Sequence, residues 1–359
     1  MKPYGLVLAG GGAKGAYQIG AWKALREMGI TFNAVAGVSI GSINGALMIA
    51  DDYDRALELW QTVTVDKGVN IEEELPDPEN LFSKKNWVTL FREFIRKKGI
   101  DASPTKDFLT EYIDEKKIRE KNIPFAIVTV QMTQGVKPLE LFLDDIPEGQ
   151  LIDYLLASSN VPLVAGIGPE GERFLDGGVY NNVPVSVLRK SGYNRLIVID
   201  ISTIKGVSNN LDFANSEFVY IKPYNTDDIG AAFDFDSQTI EMRMEMGYLD
   251  AKKAFSKLSG KIFYFTPRDF KALVKKYGPD TVQELELLAY ELKLERLKVY
   301  KKDEFLVSLK RLYEDKKAEE SEPEPEKESA YSAIIKSIFH RRNENEFTDA
   351  IAVLDSIVI

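Results

Sequence analysis

The sequence predicts an α/β fold in which helices cover a mainly parallel sheet, with a helical extension at the C-terminal end. Two stretches carry this prediction. The apolar run Tyr4–Ala9 ends in three glycines and is followed by helix formers as far as Met28. Phe32–Val38 repeats this order, with a turn at Gly37–Gly41 and a helical stretch to Ala50. Two consecutive strand–turn–helix units indicate a parallel sheet, because parallel strands need crossover connections.

Strands and helices alternate along the chain to about residue 265. Ser103 and Pro104 form an N-cap and first-turn pair, which predicts a helix through Lys121. Beyond residue 265, Thr281–Glu284 has the pattern of a capping box, and the region 268–317 is predicted to be helical. Further strand-like runs occur at Phe125–Val130, Leu139–Leu143, Leu196–Ile201, Phe218–Ile221 and Ile262–Phe265.

The 359 residues predict four segments. A large α/β domain covers 1–265, a helical extension 266–317, an acidic Pro/Glu-rich linker 318–330, and a helical tail 331–359. The net charge is −10, but the stretch 319–328 holds six Glu and one Lys, so the acidity is largely a property of the linker. An acidic chain of this kind predicts no nucleic-acid partner.

Two rare residue types exclude whole classes of site. The absence of Cys excludes disulfides, thiolate nucleophiles and Cys-ligated metals, and it suits a reducing compartment. The single His, His340, excludes two-His metal sites and leaves one candidate for an imidazole base. No signal peptide is apparent, and glycines and polar residues interrupt the uncharged stretch 28–50, so we expect a cytoplasmic location.

A glycine loop follows the first predicted strand. Gly10, Gly12 and Gly15 satisfy GxGxxG, but a dinucleotide site also needs an acidic residue after the second strand, and residues 33–39 contain none. The loop also lacks the ending of a Walker motif. A purely structural turn stays open. We favour an anion-binding nest, in which the N–H groups of Gly10, Gly11 and Gly12 converge on a transient oxyanion.

Ser39 lies in Gly37-Val38-Ser39-Ile40-Gly41, a GxSxG motif between a predicted strand and a helix. Such a sharp turn exposes a nucleophilic Ser, and the flanking glycines avoid collisions with the neighbouring strands. Adjacent parallel strands bring this turn and the glycine loop to the same edge of the sheet. An ordinary Gly/Ser turn without chemistry is the alternative.

A nucleophilic Ser needs a base to accept its proton. His340 follows the acidic linker in a basic sequence typical of a solvated helix end. Asp176 is the favoured base, because Gly177 and Gly178 let its carboxylate approach another loop closely. The alternative is that Asp176 lies in an ordinary turn without a catalytic role. Asp200 is the competing candidate for the base. A carboxylate of ordinary pKa is a poor base, so its surroundings must tune it.

Together these blocks resemble the patatin-like phospholipase family of bacterial type. GGGAKG at Gly10–Gly15 resembles its oxyanion loop, GVSIGS its nucleophile elbow, and DGGVYNNVP its catalytic Asp block. ASSNVP at Ala157–Pro162 is similar to a fourth block, and FDFDSQTIEMRMEMGYLDA to the closing segment of bacterial members. The resemblance covers about residues 4–260, with the blocks in the family's order.

The resemblance implies a patatin-like fold of α/β/α layers and hydrolysis of lipid acyl esters, as in a phospholipase A or a lysophospholipase. It implies a Ser39–Asp176 dyad, an acyl-enzyme, an oxyanion hole at Gly10, Gly11 and Gly12, and no metal or organic cofactor. A transacylase, or a non-catalytic protein that binds lipid or nucleotide, remains an alternative. Lys14 either adds positive potential near a phosphate or is a solvated helix-end residue. The supporting motif residues are Lys14, Gly15, Gly37, Gly41, Gly177 and Gly178.

Residues 81–98 offer a candidate membrane contact, peripheral at the inner face. At helical spacing they form one apolar aromatic stripe with basic residues beside it, a combination that binds anionic lipid. A core-packed helix with a solvated basic rim is the alternative. The stripe comprises Trp87, Leu90, Phe91, Phe94 and Ile95, and the basic residues are Lys84, Lys85, Arg92, Arg96, Lys97 and Lys98.

Overall fold

The computed structural model describes residues 3–63, 100–101, 103–133, 135–160, 164–165, 173–202, 217–321 and 347–357. These residues belong to two compact units, Met1–Ala254 and Phe255–Ile359. Among the described residues, no helix combines the length and the apolar character needed to cross a bilayer.

The first unit is built on a seven-stranded sheet of order β5-β4-β2-β1-β8-β9, with β7 also paired to β4. Four of its strand pairs are parallel, and β4 is antiparallel to both β5 and β7. The predicted α/β fold with a mainly parallel sheet is therefore confirmed. The strands of this sheet are β1 Tyr4–Leu8, β2 Phe32–Val38, β4 Phe125–Gln131, β5 Lys137–Phe142, β7 Phe174–Asp176, β8 Arg195–Ile199 and β9 Glu217–Ile221, and a separate pair joins β3 Ile100–Asp101 and β6 Val164–Ala165.

The central strands are apolar and buried along their length. Every residue of β1 is buried, which requires cover on both faces of the sheet and explains the continuous apolar run in the sequence. The register pairs Leu8 with Gly37 of β2 and with Ile199 of β8, so the carboxyl ends of these strands lie at one edge. The glycine loop and Ser39 leave the sheet at this edge.

Nine α-helices of the first unit are described. The predicted helix 103–121 is wrong as a single element, because it divides into α4 and α5 at Ile113 and Asp114. Asp114 accepts the N–H of Lys117 and so caps a new helix. The helices are α1 Ala16–Glu27, α2 Ile40–Ala50, α3 Tyr53–Thr62, α4 Ser103–Tyr112, α5 Glu115–Glu120, α6 Leu151–Ser158, α7 Gly178–Asn181, α8 Val185–Lys190 and α9 Ser237–Ala254.

Helices α1 and α9 pack with their backbones in contact, and each helix supplies one glycine to the crossing. A Cβ atom on Gly20 would lie 1.8 Å from the carbonyl oxygen of Met244. A Cβ atom on Gly247 would lie 1.9 Å from the carbonyl oxygen of Tyr17. Nearby, the Tyr17 hydroxyl donates to the buried Asp250 carboxylate at 2.8 Å. Any side chain at either glycine would force the two helices apart.

The described residues of the second unit form helices and one two-stranded parallel sheet, in which Phe265 pairs with Tyr300. The predicted boundary at 265/266 would separate these two strands, whereas the compact division precedes Phe255. The capping box predicted at Thr281–Glu284 is wrong, because the helix begins at Pro279 after Gly278. The elements are β10 Tyr264–Phe265, α10 Pro267–Tyr277, α11 Pro279–Glu291, β11 Val299–Tyr300, α12 Lys302–Ser321 and α13 Thr348–Asp355.

Aromatic side chains and one carboxylate organise the core of the second unit. The ring centroids of Phe265 and Phe305 lie 5.0 Å apart, and those of Phe263 and Phe305 lie 5.5 Å apart. Glu286, which is 1% exposed, accepts the N–H groups of Ile262 and Phe263 at 2.9 Å each. It also accepts the N–H of Lys261. The carboxylate therefore satisfies the backbone of the turn that leads into β10.

Candidate active site

Ser39 occupies a strained turn between β2 and α2. Its backbone has φ 53° and ψ −132°, a conformation that costs a non-glycine residue free energy and that persists only where the surroundings enforce it. A Cβ atom on Gly37 would lie 2.5 Å from the carbonyl oxygen of Gly41, and one on Gly41 would lie 2.4 Å from that of Leu8. The two glycines of the motif therefore allow the backbone to pack this tightly.

Asp176 ends β7 and faces Ser39. Because β7 runs antiparallel to β4, Asp176 pairs with Thr129, and a Cβ atom on the next residue, Gly177, would lie 2.1 Å from the carbonyl oxygen of Val128. The Asp176 carboxylate accepts a hydrogen bond from the Ser39 hydroxyl and one of 2.7 Å from the Gly178 N–H. Burial raises the pKa of Asp176 to about 6, although both hydrogen bonds lower it.

The glycine loop lies beside Ser39. A Cβ atom on Gly10 would lie 3.1 Å from Cβ of Ser39 and 2.6 Å from Oδ1 of Asn182. The N–H of Gly10 donates to the carbonyl oxygen of Asn182 at 3.3 Å. By contrast, the N–H groups of Gly11 and Gly12 donate to no atom in the described part of the chain. Two backbone donors therefore remain available for a transient anion next to the nucleophile.

Lys14 and Gly15 are the last two residues of the glycine loop. Lys14 is only 4% exposed, so the interpretation of this residue as a solvated helix-end lysine is wrong. Burial lowers the pKa of Lys14, the charge of Arg243 lowers it further, and Asp227 raises it. A Cβ atom on Gly15 would lie 2.5 Å from Cγ1 of Ile40, the residue after Ser39. The loop and the elbow are thus packed directly against each other.

Two residues that the sequence analysis assigned no role link the nucleophile to Asp176. Ser158 Oγ accepts the N–H of Ser39 at 2.9 Å and donates to the carbonyl oxygen of Val128 at 2.7 Å. The carbonyl oxygen of Asn160 accepts the N–H of Asp176 at 2.8 Å. Both residues lie in the ASSNVP block, so the fourth motif was the signal that could have identified them.

Asn182 links the Asp176 segment to the glycine loop. Besides accepting the N–H of Gly10, it donates its Nδ2 to the carbonyl oxygen of Gly10 at 3.3 Å. A Cβ atom on Gly178 would lie 2.6 Å from its Oδ1. The residue is 7% exposed. Asn182 therefore fixes the distance between the two segments that hold Asp176 and the free N–H donors.

The competing acid, Asp200, has partners of its own. Its carboxylate accepts the N–H and the hydroxyl of Ser202 at 2.9 and 2.6 Å, and it accepts the hydroxyl of Tyr220. Among the described contacts of Asp200, none reaches Ser39. His340 and the segment 81–98 lie outside the described residues, so the solvated position of His340 and the membrane contact of 81–98 stay predictions. The cytoplasmic location also stays a prediction.

The arrangement places a hydroxyl, a carboxylate and two free N–H donors at one edge of the sheet. The hydrogen bond from Ser39 to Asp176 gives the hydroxyl proton a direct acceptor. The raised pKa brings the affinity of Asp176 for a proton closer to neutrality than that of a solvated carboxylate. This set of groups suits acyl transfer through a covalent intermediate.

Similar proteins come from animals and fungi. The chain is 28% identical over 218 residues to the patatin-like phospholipase domain-containing protein ZK370.4 of Caenorhabditis elegans, and this match covers 59% of the chain and 14% of that protein. It is 27% identical over 228 residues to the neuropathy target esterase sws of Drosophila melanogaster, covering 59% and 13%. It is 29% identical over 209 residues to the lysophospholipase NTE1 of Cryptococcus neoformans, covering 57% and 11%. The chain thus spans only a small part of the length of these relatives.

Two solved structures are similar at low sequence identity. VipD of Legionella pneumophila matches with a TM-score of 0.44 and 12% identity, covering 87% of this chain and 80% of that one. ExoU, in its complex with SpcU from Pseudomonas aeruginosa, matches with a TM-score of 0.32 and 18% identity, covering 86% and 66%.

The predicted family is confirmed, whereas its bacterial type stays a prediction, because the relatives above are from animals and a fungus. The sequence model of the patatin-like phospholipase family matches residues 6–189, just over half of the chain. This range contains the glycine loop, Ser39 and Asp176. The chain therefore belongs to the patatin-like phospholipase family.

Proposed function

We propose that the protein hydrolyses acyl esters of lipids, as a phospholipase A or a lysophospholipase, with Ser39 as nucleophile and Asp176 as its only base. The observation that carries the proposal is the hydrogen bond between the Ser39 hydroxyl and a carboxylate whose pKa burial raises to about 6. The family membership and the lysophospholipase name of one relative support a lipid substrate.

In the first half of the reaction, Ser39 Oγ attacks the ester carbonyl carbon and its proton passes to Asp176. The N–H groups of Gly11 and Gly12 stabilise the negative oxygen that forms. When the intermediate collapses, the bond to the leaving oxygen breaks, and Asp176 returns the proton to the departing lysolipid or alcohol. The acyl group remains esterified to Ser39.

In the second half, Asp176 takes a proton from a water molecule, and the resulting hydroxide attacks the acyl-enzyme. The same N–H groups stabilise the second oxyanion. The bond to Ser39 Oγ then breaks, Asp176 protonates that oxygen, and the fatty acid leaves. The residues return to their starting protonation states, so the cycle consumes only ester and water.

The test is covalent labelling with a fluorophosphonate, followed by mass-spectrometric mapping of the modified residue and turnover of a short nitrophenyl ester. We expect the label on Ser39, and we expect Ser39→Ala to lose turnover by many powers of ten, at least about ten thousandfold. The matched control is Ser191→Ala, an exposed Ser of the same unit, which should behave as the wild type.

A folded Ser39→Ala protein that still cleaves the ester would contradict the assignment of the nucleophile. The lipid class follows from a panel of phosphatidylcholine, lysophosphatidylcholine and triacylglycerol, analysed for free fatty acid. Adding a primary alcohol tests the transacylase alternative, because a transacylase would transfer the acyl group to the alcohol in place of water.

A further inference from the structure

Arg243 is a buried cation that the proposed chemistry does not use. It lies on α9 and is 0% exposed. Its guanidinium donates to three backbone carbonyl oxygens: Nε to Ile229 at 2.7 Å, Nη1 to Asp234 at 2.6 Å and Nη2 to Ala231 at 2.8 Å. The carboxylate of Asp234 lies 3.8 Å from Nη2. A buried charge with so many hydrogen bonds is satisfied, and it fixes the groups that surround it.

The three carbonyl oxygens belong to one segment, residues 229–234, which we name the guanidinium loop. The loop passes very close to Arg243, since a Cβ atom on Gly230 would lie 3.2 Å from Nη2, and Gly230 has φ +64°. The planar fork of an Arg side chain can hold three carbonyl oxygens in fixed directions at once. Lys lacks this geometry although it carries the same charge.

The guanidinium loop also contacts the glycine loop. The carbonyl oxygen of Ala232 accepts the N–H of Ala13 at 2.7 Å. The same oxygen lies 2.3 Å from the place where a Cβ atom on Gly12 would be. Gly12 has φ +56°, so its peptide orientation depends on this close contact. Ala232 thus contacts Gly12, one of the two residues with a free N–H donor, and Ala13 next to it.

We propose that Arg243 is a positioning residue of the oxyanion hole, acting through the guanidinium loop and the Ala232 carbonyl on the peptides of Gly11 and Gly12. The inference rests on the proposed function. Donors stabilise an oxyanion only when they point at it from about 2.7–3.1 Å, so a small rotation of these peptides weakens the transition state more than the bound substrate. Arg243 itself touches neither Ser39 nor Asp176 in the described contacts.

The main test is Arg243→Lys, which keeps the charge and removes the fork. We expect the turnover number for a short nitrophenyl ester to fall about tenfold to a hundredfold, with the KM changed less than about threefold. Inhibition by a short alkyl trifluoromethyl ketone should weaken by a factor similar to the loss of turnover, because its adduct with Ser39 places an oxyanion in the hole. If Arg243 had only a structural role, the loss of inhibition and the loss of turnover would not match.

Two control variants separate the effects of charge and fold. Arg26→Lys changes an exposed Arg of the same unit in the same way, and Glu217→Gln removes an exposed ion pair of the same unit, the one with Arg195. Both should keep the turnover number within about twofold of the wild type, as surface changes of this kind have small effects. Loss in either control equal to that in Arg243→Lys would overturn the proposal.

A second measurement does not require activity. Hydrogen exchange at the amides of residues 10–14 should be faster in Arg243→Lys than in the wild type, while exchange in β1 stays unchanged. If Arg243→Lys does not fold, Ala232→Gly replaces it, because it leaves Arg243 intact and loosens the backbone that bears the critical carbonyl. Wild-type turnover together with wild-type exchange in a folded variant would overturn the proposal.

Failure of the proposed function gives a different result. In that case the wild type itself shows no Ser39-dependent turnover and no label on Ser39. The exchange measurement still decides whether Arg243 controls the glycine loop. Faster exchange at residues 10–14 would then support the coupling, and unchanged exchange would contradict it.

Discussion

Each of the two units contains a carboxylate in a tight turn, and the two carboxylates differ in the number of hydrogen-bond donors that they accept. Glu286 in the second unit accepts the N–H groups of Lys261, Ile262 and Phe263 at 2.9–3.1 Å. Asp176 in the first unit accepts one N–H, from Gly178, and the hydroxyl of Ser39. Burial raises the pKa of Asp176 to about 6 despite these two bonds.

The difference shows how donor number separates a structural carboxylate from a proposed base. Several backbone donors stabilise the anionic form and fix it within a turn. A carboxylate that accepts fewer donors, and whose pKa burial raises, retains affinity for a proton. It can therefore take and return a proton during a reaction, which Asp176 is proposed to do and Glu286 is not.

The largest expected effect comes from exchanging each carboxylate for its amide. Asp176→Asn should lower the turnover number about a thousandfold or more, because the proton of Ser39 loses its acceptor, while the protein stays folded. Glu286→Gln should lower the free energy of unfolding by about 1–3 kcal/mol, because the neutral amide loses the charge that strengthens these hydrogen bonds and loses the oxygen that accepts the second bond of Lys261, and leave turnover of the folded protein within about twofold. Ester kinetics and chemical denaturation check both.

The comparison would fail if both variants lost turnover and neither lost stability, or if Asp176→Asn retained activity. His340→Ala is the control for the base, and it should leave the rate within about twofold. An inactive His340→Ala protein would indicate a triad with an imidazole base.

A smaller effect is expected in the glycine loop. Gly12→Ala should lower the turnover number about a hundredfold, since the new methyl group would collide with the carbonyl oxygen of Ala232 and turn the donor peptide. Gly11→Ala should cost less than about tenfold, because the atoms nearest to its methyl group belong to Ile201 and lie at 3.0–3.3 Å, farther away than the Ala232 oxygen is from the methyl group in Gly12→Ala. Steady-state kinetics on a soluble ester measure both turnover numbers. A larger loss in Gly11→Ala than in Gly12→Ala would contradict the assignment of donors.

The pH dependence should follow the ionisation of Asp176. The base must be deprotonated, so kcat/KM should rise with pH, reach half its plateau near pH 6, and be about tenfold lower at about pH 5. Stability should change in the opposite direction. The folded state holds the proton of Asp176 to a higher pH than the unfolded state, so the contribution of Asp176 to stability falls as pH rises from 3.8 towards about 6.

Because Asp176→Asn does not titrate at this site, its stability relative to the wild type should increase over the same pH interval, by up to about 3 kcal/mol. Urea unfolding at pH 4 and pH 7 measures the change. If the pH at which kcat/KM reaches half its plateau shifts in His340→Ala, the ionisation belongs to the imidazole and not to Asp176.

The smallest effect is expected at Asp200. Asp200→Asn should change the turnover number less than about threefold, because Ser202 and Tyr220 already hold its carboxylate and it does not reach Ser39 in the described contacts. Burial beside Asp200 raises the pKa of Tyr220, so Tyr220 stays a neutral donor to it. A loss comparable to that of Asp176→Asn would restore Asp200 as the candidate base.

The sequence predicts most of the parallel sheet, because uninterrupted apolar runs and glycine turns leave little choice of structure. The runs Phe32–Val38 and Phe125–Val130 appear as strands within one residue of their predicted bounds. The strained elbow at Ser39 was predictable as well, since its two glycines are required by close backbone contacts. These strands and the elbow depend on local sequence, so the residues next to them in the chain are enough to predict them.

Features that depend on distant parts of the chain were not predictable. The antiparallel pairing of β7 with β4 brings Asp176 to Ser39, and no local pattern specifies that register. Lys14 and Arg243 have charged side chains, which in sequence indicate solvent exposure, yet they are only 4% and 0% exposed. The pairing of Tyr264–Phe265 with Val299–Tyr300 was not predictable either, because a strand of two residues leaves no pattern in the sequence.

The glycine crossing of α1 and α9 has a consequence for synthesis on the ribosome. Tyr17 and Asp250, which are hydrogen-bonded at this crossing, are 233 positions apart in the chain. At translation rates of roughly 5–20 residues per second, α1 waits roughly 10 to 50 seconds before α9 is available to cover it. Until then its small-residue face is open to water and to other nascent chains. The first unit therefore completes its folding late, and a chaperone that covers α1 during this interval should raise the yield of folded protein.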